Sequence, residues 1–275
     1  MFYDNTNYYY KKKLGQHFLL DKFIIQKIIK TINPKKNDCL IEIGPGFGAI
    51  TKIICKLVKK MAVIEIDNQL VNILKKNIFC KLNIFCTDVL YFNFVNFAQK
   101  KNKKIRIFGN IPYNISTRLI LLLIKSINYI KDIHLMLQEE LAEKLISTQG
   151  SKKYSRISIL TQYFFKVIKI FPVIKKYFVP KPKVNSVFVK ITPNIKKKHM
   201  LKNFKIFKKI ITLAFIQRRK MLSNSLSSLI KKKDFKKIGI NFKLRANDLS
   251  IKEYCDISNF LSKKIIIKKG KIINI

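Results

Sequence analysis

Short apolar runs alternate with amphipathic segments over residues 39–138, and this alternation constrains the fold more than any other feature. Strand-like runs lie near residues 39–43, 61–66, 82–86, 105–108 and 133–137. Helical spacing of apolar residues separates them, first in Ile50, Ile53, Ile54, Leu57 and Val58, then in Leu70, Val71, Ile73 and Leu74. Strands joined by crossover helices predict an α/β fold with a parallel sheet.

Two further strand-like segments lie near residues 163–170 and 186–191 and flank a cluster of prolines. We expect them to form a hairpin that completes the sheet. After Thr192-Pro193-Asn194, the chain continues as Lys-rich amphipathic segments without strand alternation, which predicts a small helical domain. The predicted domains are therefore residues 1–194 and 195–275. Lysine and isoleucine alternate over residues 263–275. This segment is predicted to be either a frayed tail or an edge strand.

A glycine-rich segment, Glu42-Ile43-Gly44-Pro45-Gly46-Phe47-Gly48, follows the first strand-like run and leads into a helix. Its glycines permit a tight turn and a close approach of the backbone to a nucleotide-like ligand. Taken alone, the segment is equally consistent with an ordinary turn between a strand and a helix. The sequence has no Walker lysine motif, so a nucleoside with an amino-acid arm fits better than a triphosphate.

Four positions recur at the period of one strand–helix unit. Glu65 lies 21 residues after Gly44, Asp88 lies 23 after Glu65, and Asn110 lies 22 after Asp88. All four fall at the carboxyl end of a predicted strand, where open parallel sheets bind ligands. Glu65 is placed to bind both hydroxyls of a ribose, and Asp88 to accept a hydrogen bond from an adenine amine. The alternatives are that Asp88 is an N-cap, and that the neighbouring Asp67 is a helix cap or a solvated loop carboxylate.

The tetrapeptide Asn110-Ile111-Pro112-Tyr113 indicates a particular chemistry. An adenine N6 amine is a poor nucleophile because its lone pair is delocalised into the ring, and acceptors on its two hydrogens would localise that pair. The Asn110 side-chain oxygen and the Ile111 carbonyl supply two acceptors in a turn held by Pro112. Tyr113 offers a flat face for an extruded base. The alternative is a simple turn in which Tyr113 packs in the core.

Eight ordered motifs extend over nearly the whole chain. They are Leu14-Gly15-Gln16-His17-Phe18-Leu19, residues 41–51, Glu65-Ile66-Asp67, Asp88-Val89, residues 109–116, Gln138-Glu139-Glu140, residues 178–184 and Gln217-Arg218-Arg219-Lys220. In these motifs the chain resembles the ribosomal RNA adenine N6,N6-dimethyltransferases, specifically the small-subunit (16S) enzymes. The departures are mild: Ile111 stands where leucine is common, and residues 179–182 are less proline-rich.

The resemblance implies a Rossmann-like S-adenosylmethionine-dependent methyltransferase sheet with a small C-terminal helical domain that contacts RNA. It implies S-adenosylmethionine as methyl donor and no metal. The cofactor-binding residues that it implies are His17, Leu19, Gly44, Glu65, Asp88 and Asn110. The catalytic residues are Asn110, Ile111, Pro112 and Tyr113, with Phe178 as a second aromatic face unless it is simply a core residue. Residues 217–220 are expected either to contact RNA phosphates or to form a solvated basic helix face.

The implied substrate is a pair of adjacent adenines near the 3′ end of 16S rRNA, in the small ribosomal subunit or its assembly intermediate. The enzyme is expected to be a cytoplasmic monomer with a role in late subunit assembly. A net charge of +42 suits a polyanionic partner, although biased codon usage would also enrich lysine. No apolar run approaches the roughly 20 residues of a membrane span, and no signal-peptide pattern is seen.

Three other functions fit parts of this pattern. A 23S rRNA methyltransferase of the resistance type shares the fold and the tetrapeptide, but the C-terminal segment favours the small-subunit kind. A DNA adenine methyltransferase usually has proline at position 111, where this chain has isoleucine. A noncatalytic assembly or transcription factor would not need Asn110 and Tyr113, which are both intact.

Overall fold

The computed structural model describes residues 8–78, 80–194 and 199–269. The chain divides into two compact units, the first formed by residues 1–142 and 165–193 and the second by residues 143–164 and 194–275. One division thus falls next to residue 194, where the sequence placed its domain boundary. The structure differs from the predicted continuous first domain in that residues 143–164 group with the second unit.

The described strands of the first unit form a seven-stranded sheet and a separate two-stranded pair. The sheet contains β2 (Cys39–Ile43), β3 (Met61–Glu65), β4 (Leu82–Cys86), β5 (Ile105–Asn110), β6 (Ile130–Gln138), β7 (Phe165–Val173) and β9 (Ser186–Pro193). The pair joins β1 (Phe18–Leu19) to β8 (Phe178–Val179). All strands predicted from the sequence are present, which confirms the α/β prediction.

The order across the sheet is β4-β3-β2-β5-β6-β9-β7. The pairs among β2 to β6 are parallel, whereas β9 is antiparallel to both of its neighbours. The strand order reverses between β2 and β5, and this switch point is where open α/β sheets bind ligands, beyond the carboxyl ends of the strands. The predicted hairpin partners β7 and β9 do pair, and they complete the sheet.

Helices connect the parallel strands of the first unit: α2 (Thr51–Leu57), α3 (Asn68–Asn77), α4 (Phe94–Lys101) and α5 (Tyr113–Ile124). A further helix, α1 (Lys22–Ile32), precedes β2. Strand residues such as Ile41, Val63 and Ile107 are fully buried. Strands that are buried on both faces consist of nearly continuous apolar residues. The positions of these strands can therefore be predicted from the sequence.

The second unit is helical in its described part, as predicted. Its helices are α7 (Arg156–Phe164), α8 (Phe204–Ile216), α9 (Leu222–Ser225), α10 (Lys232–Lys237) and α11 (Ile251–Lys269), while α6 (Glu139–Ile146) crosses the division between the units. The ring of Tyr163 lies 5.2 Å from that of Phe207, and the Gly150 amide donates to the Asn247 carbonyl at 2.7 Å. These long-range contacts, which leave no local sequence pattern, explain why residues 143–164 join this unit.

The alternation of lysine and isoleucine near the C-terminus does not produce an edge strand. Helix α11 continues to Lys269, so the strand interpretation is wrong for residues 263–269, and residues 270–275 lie outside the described part. Buried Ile257 and Leu261 fix one face of this helix. Lysine is a good helix former, which fits the helical path of the chain to Lys269.

The five cysteines are free thiols, and Cys55 and Cys255 are buried.

Over residues 8–78, 80–194 and 199–269, no helix has both the length and the apolar composition needed to cross a membrane. These same ranges contain no group of three or more histidine, cysteine, aspartate or glutamate side chains placed to hold a metal ion.

Candidate active site

A cavity lies at the carboxyl edge of the sheet in the first unit. Its walls are the glycine-rich loop after β2, the ends of β3 and β5, the loop after β4, and residues 13–19. Nine predicted site residues line it: His17, Leu19, Gly44, Glu65, Asp88, Asn110, Ile111, Pro112 and Tyr113. The residues from Gly44 to Tyr113, up to 69 positions apart in the sequence, are brought together because the strands before them end at one edge of the sheet. His17 and Leu19 join them from the segment around β1.

The glycine-rich loop follows a path that side chains would obstruct. Gly46 has a φ of 58°, and a Cβ placed on it would lie 2.7 Å from the ring of Phe18. Its amide donates to the Glu65 carboxylate at 3.3 Å, while the Gly44 amide donates to the Ile64 carbonyl at 2.9 Å. The loop backbone thus borders the cavity directly, which fits close contact with a nucleoside ligand.

Glu65 is a buried carboxylate with a fixed orientation. Its Oε1 accepts hydrogen bonds from the amides of Ile66 (2.9 Å) and Asp67 (3.1 Å), and its Oε2 accepts the one from Gly46. Burial raises the pKa of Glu65, and these hydrogen bonds oppose that rise. A carboxylate has about four acceptor positions, and these three bonds leave about one of them for a ribose hydroxyl.

Glu42 is a second buried carboxyl group in the cavity wall, and the sequence motifs assign it no role. The Thr51 hydroxyl donates to its Oε2 at 2.6 Å. Burial, assisted by the negative charge of Glu65, raises the pKa of Glu42 to about 8. Glu42 is consequently mostly protonated at neutral pH. A glutamate within an otherwise apolar strand was the one available signal in the sequence.

The two aspartates behave differently from one another. Asp88 lines the cavity and also accepts a hydrogen bond from the Leu90 amide at 2.8 Å, so it acts as an N-cap without leaving the site. Asp67 caps α3 by accepting from the Gln69 amide at 3.0 Å, which confirms the helix-cap interpretation. It is, however, buried rather than solvated.

Asn110 is oriented by the segment that precedes β1. Its amide nitrogen donates to the His17 carbonyl at 2.6 Å. Because a carbonyl can only accept, this bond assigns the NH₂ group of Asn110 to the His17 side and directs Oδ1 elsewhere. The His17 ring is held in turn by a 2.6 Å hydrogen bond from Nδ1 to the Pro180 carbonyl, so the proton lies on Nδ1.

The remaining residues of the tetrapeptide are fixed by short contacts. The Ile111 amide donates to the Met136 carbonyl at 3.3 Å, and Pro112 is the N-cap residue of α5. The Tyr113 hydroxyl lies 2.9 Å from Ser186 Oγ. Tyr113 is half-buried and lines the cavity, with its ring 5.9 Å from that of His17. This placement differs from the core position considered as an alternative.

Phe178 stands apart from the other predicted residues. Its side chain is 2% exposed and belongs to the hydrophobic core that includes Leu19, and it is not among the cavity-lining residues. Its backbone pairs with that of Leu19. This placement matches the alternative in which Phe178 is simply a core residue. Stacking by Phe178 stays a prediction, and it would require the ring to leave the core.

The basic run at residues 217–220 belongs to the second unit. Helix α8 ends at Ile216, so the run occupies the turn before α9 rather than a helix face. The guanidinium of Arg218 donates to the Lys152 carbonyl at 2.6 Å. The run therefore does not form the helix face that the solvated-face alternative assumes. Contact with RNA phosphates stays a prediction.

The sheet order, the reversed strand β9 and the carboxylates at the strand ends define a Rossmann-like, S-adenosylmethionine-dependent methyltransferase. A dimethyladenosine transferase from Plasmodium falciparum has a similar structure, with a TM-score of 0.74 and 27% identity, over 90% of this chain and 98% of that one. The 23S rRNA methyltransferase ErmE has the same fold at 18% identity, with a TM-score of 0.65, over 89% and 99% of the two chains.

The sequence comparisons narrow this class to one family. The family model described as "Ribosomal RNA adenine dimethylase" matches residues 7–263, so the chain belongs to this family of S-adenosylmethionine-dependent rRNA adenine dimethyltransferases. The "Ribosomal RNA small subunit methyltransferase A" of Buchnera aphidicola subsp. Schizaphis graminum is 45% identical over 94% of both chains. The protein of that name from Escherichia coli strain UMN026 is 38% identical over 94% of this chain and 96% of its own.

Proposed function

We propose that this enzyme dimethylates N6 of two adjacent adenines near the 3′ end of 16S rRNA, with a role in late assembly of the small subunit. The similarity to small-subunit methyltransferases over 94% of the chain carries this proposal. A net charge of +42 favours an RNA partner. In this proposal the enzyme acts as a cytoplasmic monomer on the subunit or its assembly intermediate.

The cavity residues suit S-adenosylmethionine, which supplies an electrophilic methyl group on a sulfonium. Glu65 would accept a hydrogen bond from a ribose hydroxyl, and Asp88 would accept one from the adenine amine of the cofactor. The glycine-rich loop at Gly44 would contact the ligand through its backbone. His17 and Leu19 would close the cavity on the side of the N-terminal segment.

Catalysis by this chain is proposed to consist of orienting the target amine. Asn110 Oδ1 and the Ile111 carbonyl would accept the two N6 hydrogens, so that the nitrogen lone pair points at the methyl carbon. The new N–C bond forms as the C–S bond breaks, and the amine then releases a proton to solvent. A base stacked on Tyr113 would be held in line for this displacement. After the first transfer one hydrogen remains, which either acceptor can hold for the second.

Incubation with labelled S-adenosylmethionine and unmethylated 30S particles tests the proposal. We expect label on the 3′-terminal fragment of 16S rRNA, with two dimethylated adenines by mass spectrometry. Unmethylated 50S particles are the matched control, and they should acquire no label. Label in 23S rRNA instead would support the resistance-type alternative, and absence of label from both particles would reject the proposed substrate.

Glu65→Gln is expected to weaken S-adenosylmethionine binding by about 10- to 100-fold, the effect of losing one charge-assisted hydrogen bond. In the Gln variant the side-chain NH₂ group replaces one carboxylate oxygen. It would then face a donor, either a backbone N–H or a ribose hydroxyl, that an oxygen accepts from in the wild type. Glu42→Gln provides the comparison, because Glu42 is already mostly neutral at pH 7. Isothermal calorimetry at pH 7 measures both. Wild-type affinity of Glu65→Gln would remove Glu65 from the ribose site.

A further inference from the structure

Residues 8–19, which we name the N-terminal strap, form one wall of the cofactor cavity. Seven consecutive strap residues, numbers 13–19, line that cavity. At its C-terminal end the strap is fixed by the pairing of β1 with β8 and by the contacts of His17. The other end of the strap is fixed at a different place, the carboxyl end of β3.

Asp67 is the group that holds this second end. Its Oδ1 lies 2.7 Å from the Lys11 ammonium. Its Oδ2 accepts hydrogen bonds from the Tyr8 hydroxyl at 2.9 Å and the Gln16 amide at 3.2 Å. The Asp67 side chain is fully buried, whereas that of Lys11 is 42% exposed. Three strap side chains therefore converge on one carboxylate 51 or more positions away in the sequence.

Contacts within the strap join the side chains that reach Asp67. The Gln16 side-chain oxygen accepts from the Lys11 amide at 2.9 Å and lies 2.6 Å from the Tyr8 hydroxyl. The Tyr8 ring also packs at 5.2 Å against the ring of Phe47 in the glycine-rich loop. Burial alone would raise the pKa of Asp67, but the hydrogen bonds from Lys11 and Tyr8 lower it. The carboxylate is therefore charged and paired with the strap.

Asp67 also connects the strap to the ribose-binding position. Its backbone amide donates to the Glu65 carboxylate at 3.1 Å, and Gln16 directly precedes His17, whose carbonyl orients Asn110. We propose that Asp67 is a positioning residue that anchors the N-terminal strap over the cofactor cavity and thereby slows cofactor release. This inference rests on the proposed cofactor site and adds a role for Asp67, Lys11 and Tyr8 in retaining the cofactor.

Lys11→Met is the direct test, because it removes the ion pair and leaves the Asp67 cap on α3 in place. We expect faster amide hydrogen exchange in the strap of the cofactor-free protein. We also expect the dissociation rate constant of S-adenosylmethionine to rise about fivefold, the upper range for a half-exposed ion pair. Lys11→Arg should restore both values. Asp67→Asn, which keeps an N-cap side chain, should raise the rate constant about tenfold.

Lys131→Met is the matched control. Lys131 is also a partly exposed lysine, and it pairs at 3.2 Å with Asp38, whose side chain is 10% exposed. It lies at the start of β6, and β5 and β6 run parallel, so it is at the sheet edge opposite the cavity. Exchange in the strap and cofactor dissociation should both be unchanged.

Four results would overturn the strap proposal: unchanged exchange in Lys11→Met, unchanged dissociation, equal effects of Lys131→Met, or no recovery in Lys11→Arg. Failure of the wild-type protein to bind S-adenosylmethionine would instead reject the proposed function. The exchange measurement needs no cofactor, so the two failures are distinguishable.

Discussion

Asn110→Ala is expected to lower the rate constant of methyl transfer by about 10²- to 10³-fold, because catalysis here depends on placing and polarising the target amine. Loss of the side chain removes the acceptor Oδ1 and also releases the His17 carbonyl, to which the Asn110 amide donates at 2.6 Å. Single-turnover transfer to unmethylated 30S particles measures the rate constant without a contribution from product release. Circular dichroism should show the wild-type fold.

Asn96→Ala is the control for Asn110→Ala, since Asn96 is an exposed residue within α4 and lies outside the cavity. Its transfer rate should equal that of the wild type. Asn110→Asp adds a second test, because Asp keeps an oxygen acceptor but cannot donate to His17 when ionised. We expect Asp to retain more activity than Ala. Transfer by Asn110→Ala at the wild-type rate would contradict the acceptor mechanism.

The position of the site was predictable because it follows from strand ends. The runs that end at Ile43, Glu65 and Asn110 are apolar and mostly buried, and the run that ends at Cys86 is apolar at most of its positions, so their boundaries are marked in the sequence. Parallel strands place those ends at one edge. One period of about 22 residues therefore predicts that the glycine-rich loop, Glu65, Asp88 and Asn110 lie together.

The contacts that orient the site residues were not predictable in the same way. Asp67 was correctly interpreted as a helix cap, but a cap signal says nothing of the strap side chains that reach it from residues 8–16. The protonated state of Glu42 depends on burial by several elements. These features come from packing between distant segments, for which a single sequence contains no periodic signal.

Phe178 shows what a resemblance leaves open about the position of a residue in the fold. Its motif suggested an aromatic face in the site, whereas the structure places the ring in the core beside Leu19. The grouping of residues 143–164 with the second unit also depends on packing partners that the sequence does not specify. An aromatic residue or an amphipathic helix reveals that it has an apolar face, but the sequence does not specify the segment against which that face packs.

Arg106→Met is expected to lower the free energy of unfolding by about 3–5 kcal/mol, because removing one partner of a buried ion pair leaves its charges uncompensated. The Arg106 guanidinium binds both oxygens of Asp132, at 2.8 and 2.9 Å, and Asp38 at 2.6 Å. It also donates to the carbonyls of Ile32 (2.6 Å) and Asn33 (3.2 Å) at the end of α1. Urea unfolding followed by circular dichroism measures the loss.

Arg118→Met is the control for Arg106→Met, since Arg118 is exposed on α5, and its unfolding midpoint should match that of the wild type. Arg106→Lys should lose less than Met but still lose stability, because an ammonium cannot reproduce the bidentate contact; it also keeps the test valid if the Met variant does not fold. The prediction would be contradicted if Arg106→Lys and Arg106→Met had the same free energy of unfolding as Arg118→Met. The ion pairs of Arg106 would then contribute nothing measurable to stability. The amino edge of the sheet would then owe its stability to apolar packing alone, and the cavity at the opposite edge would not depend on these charges.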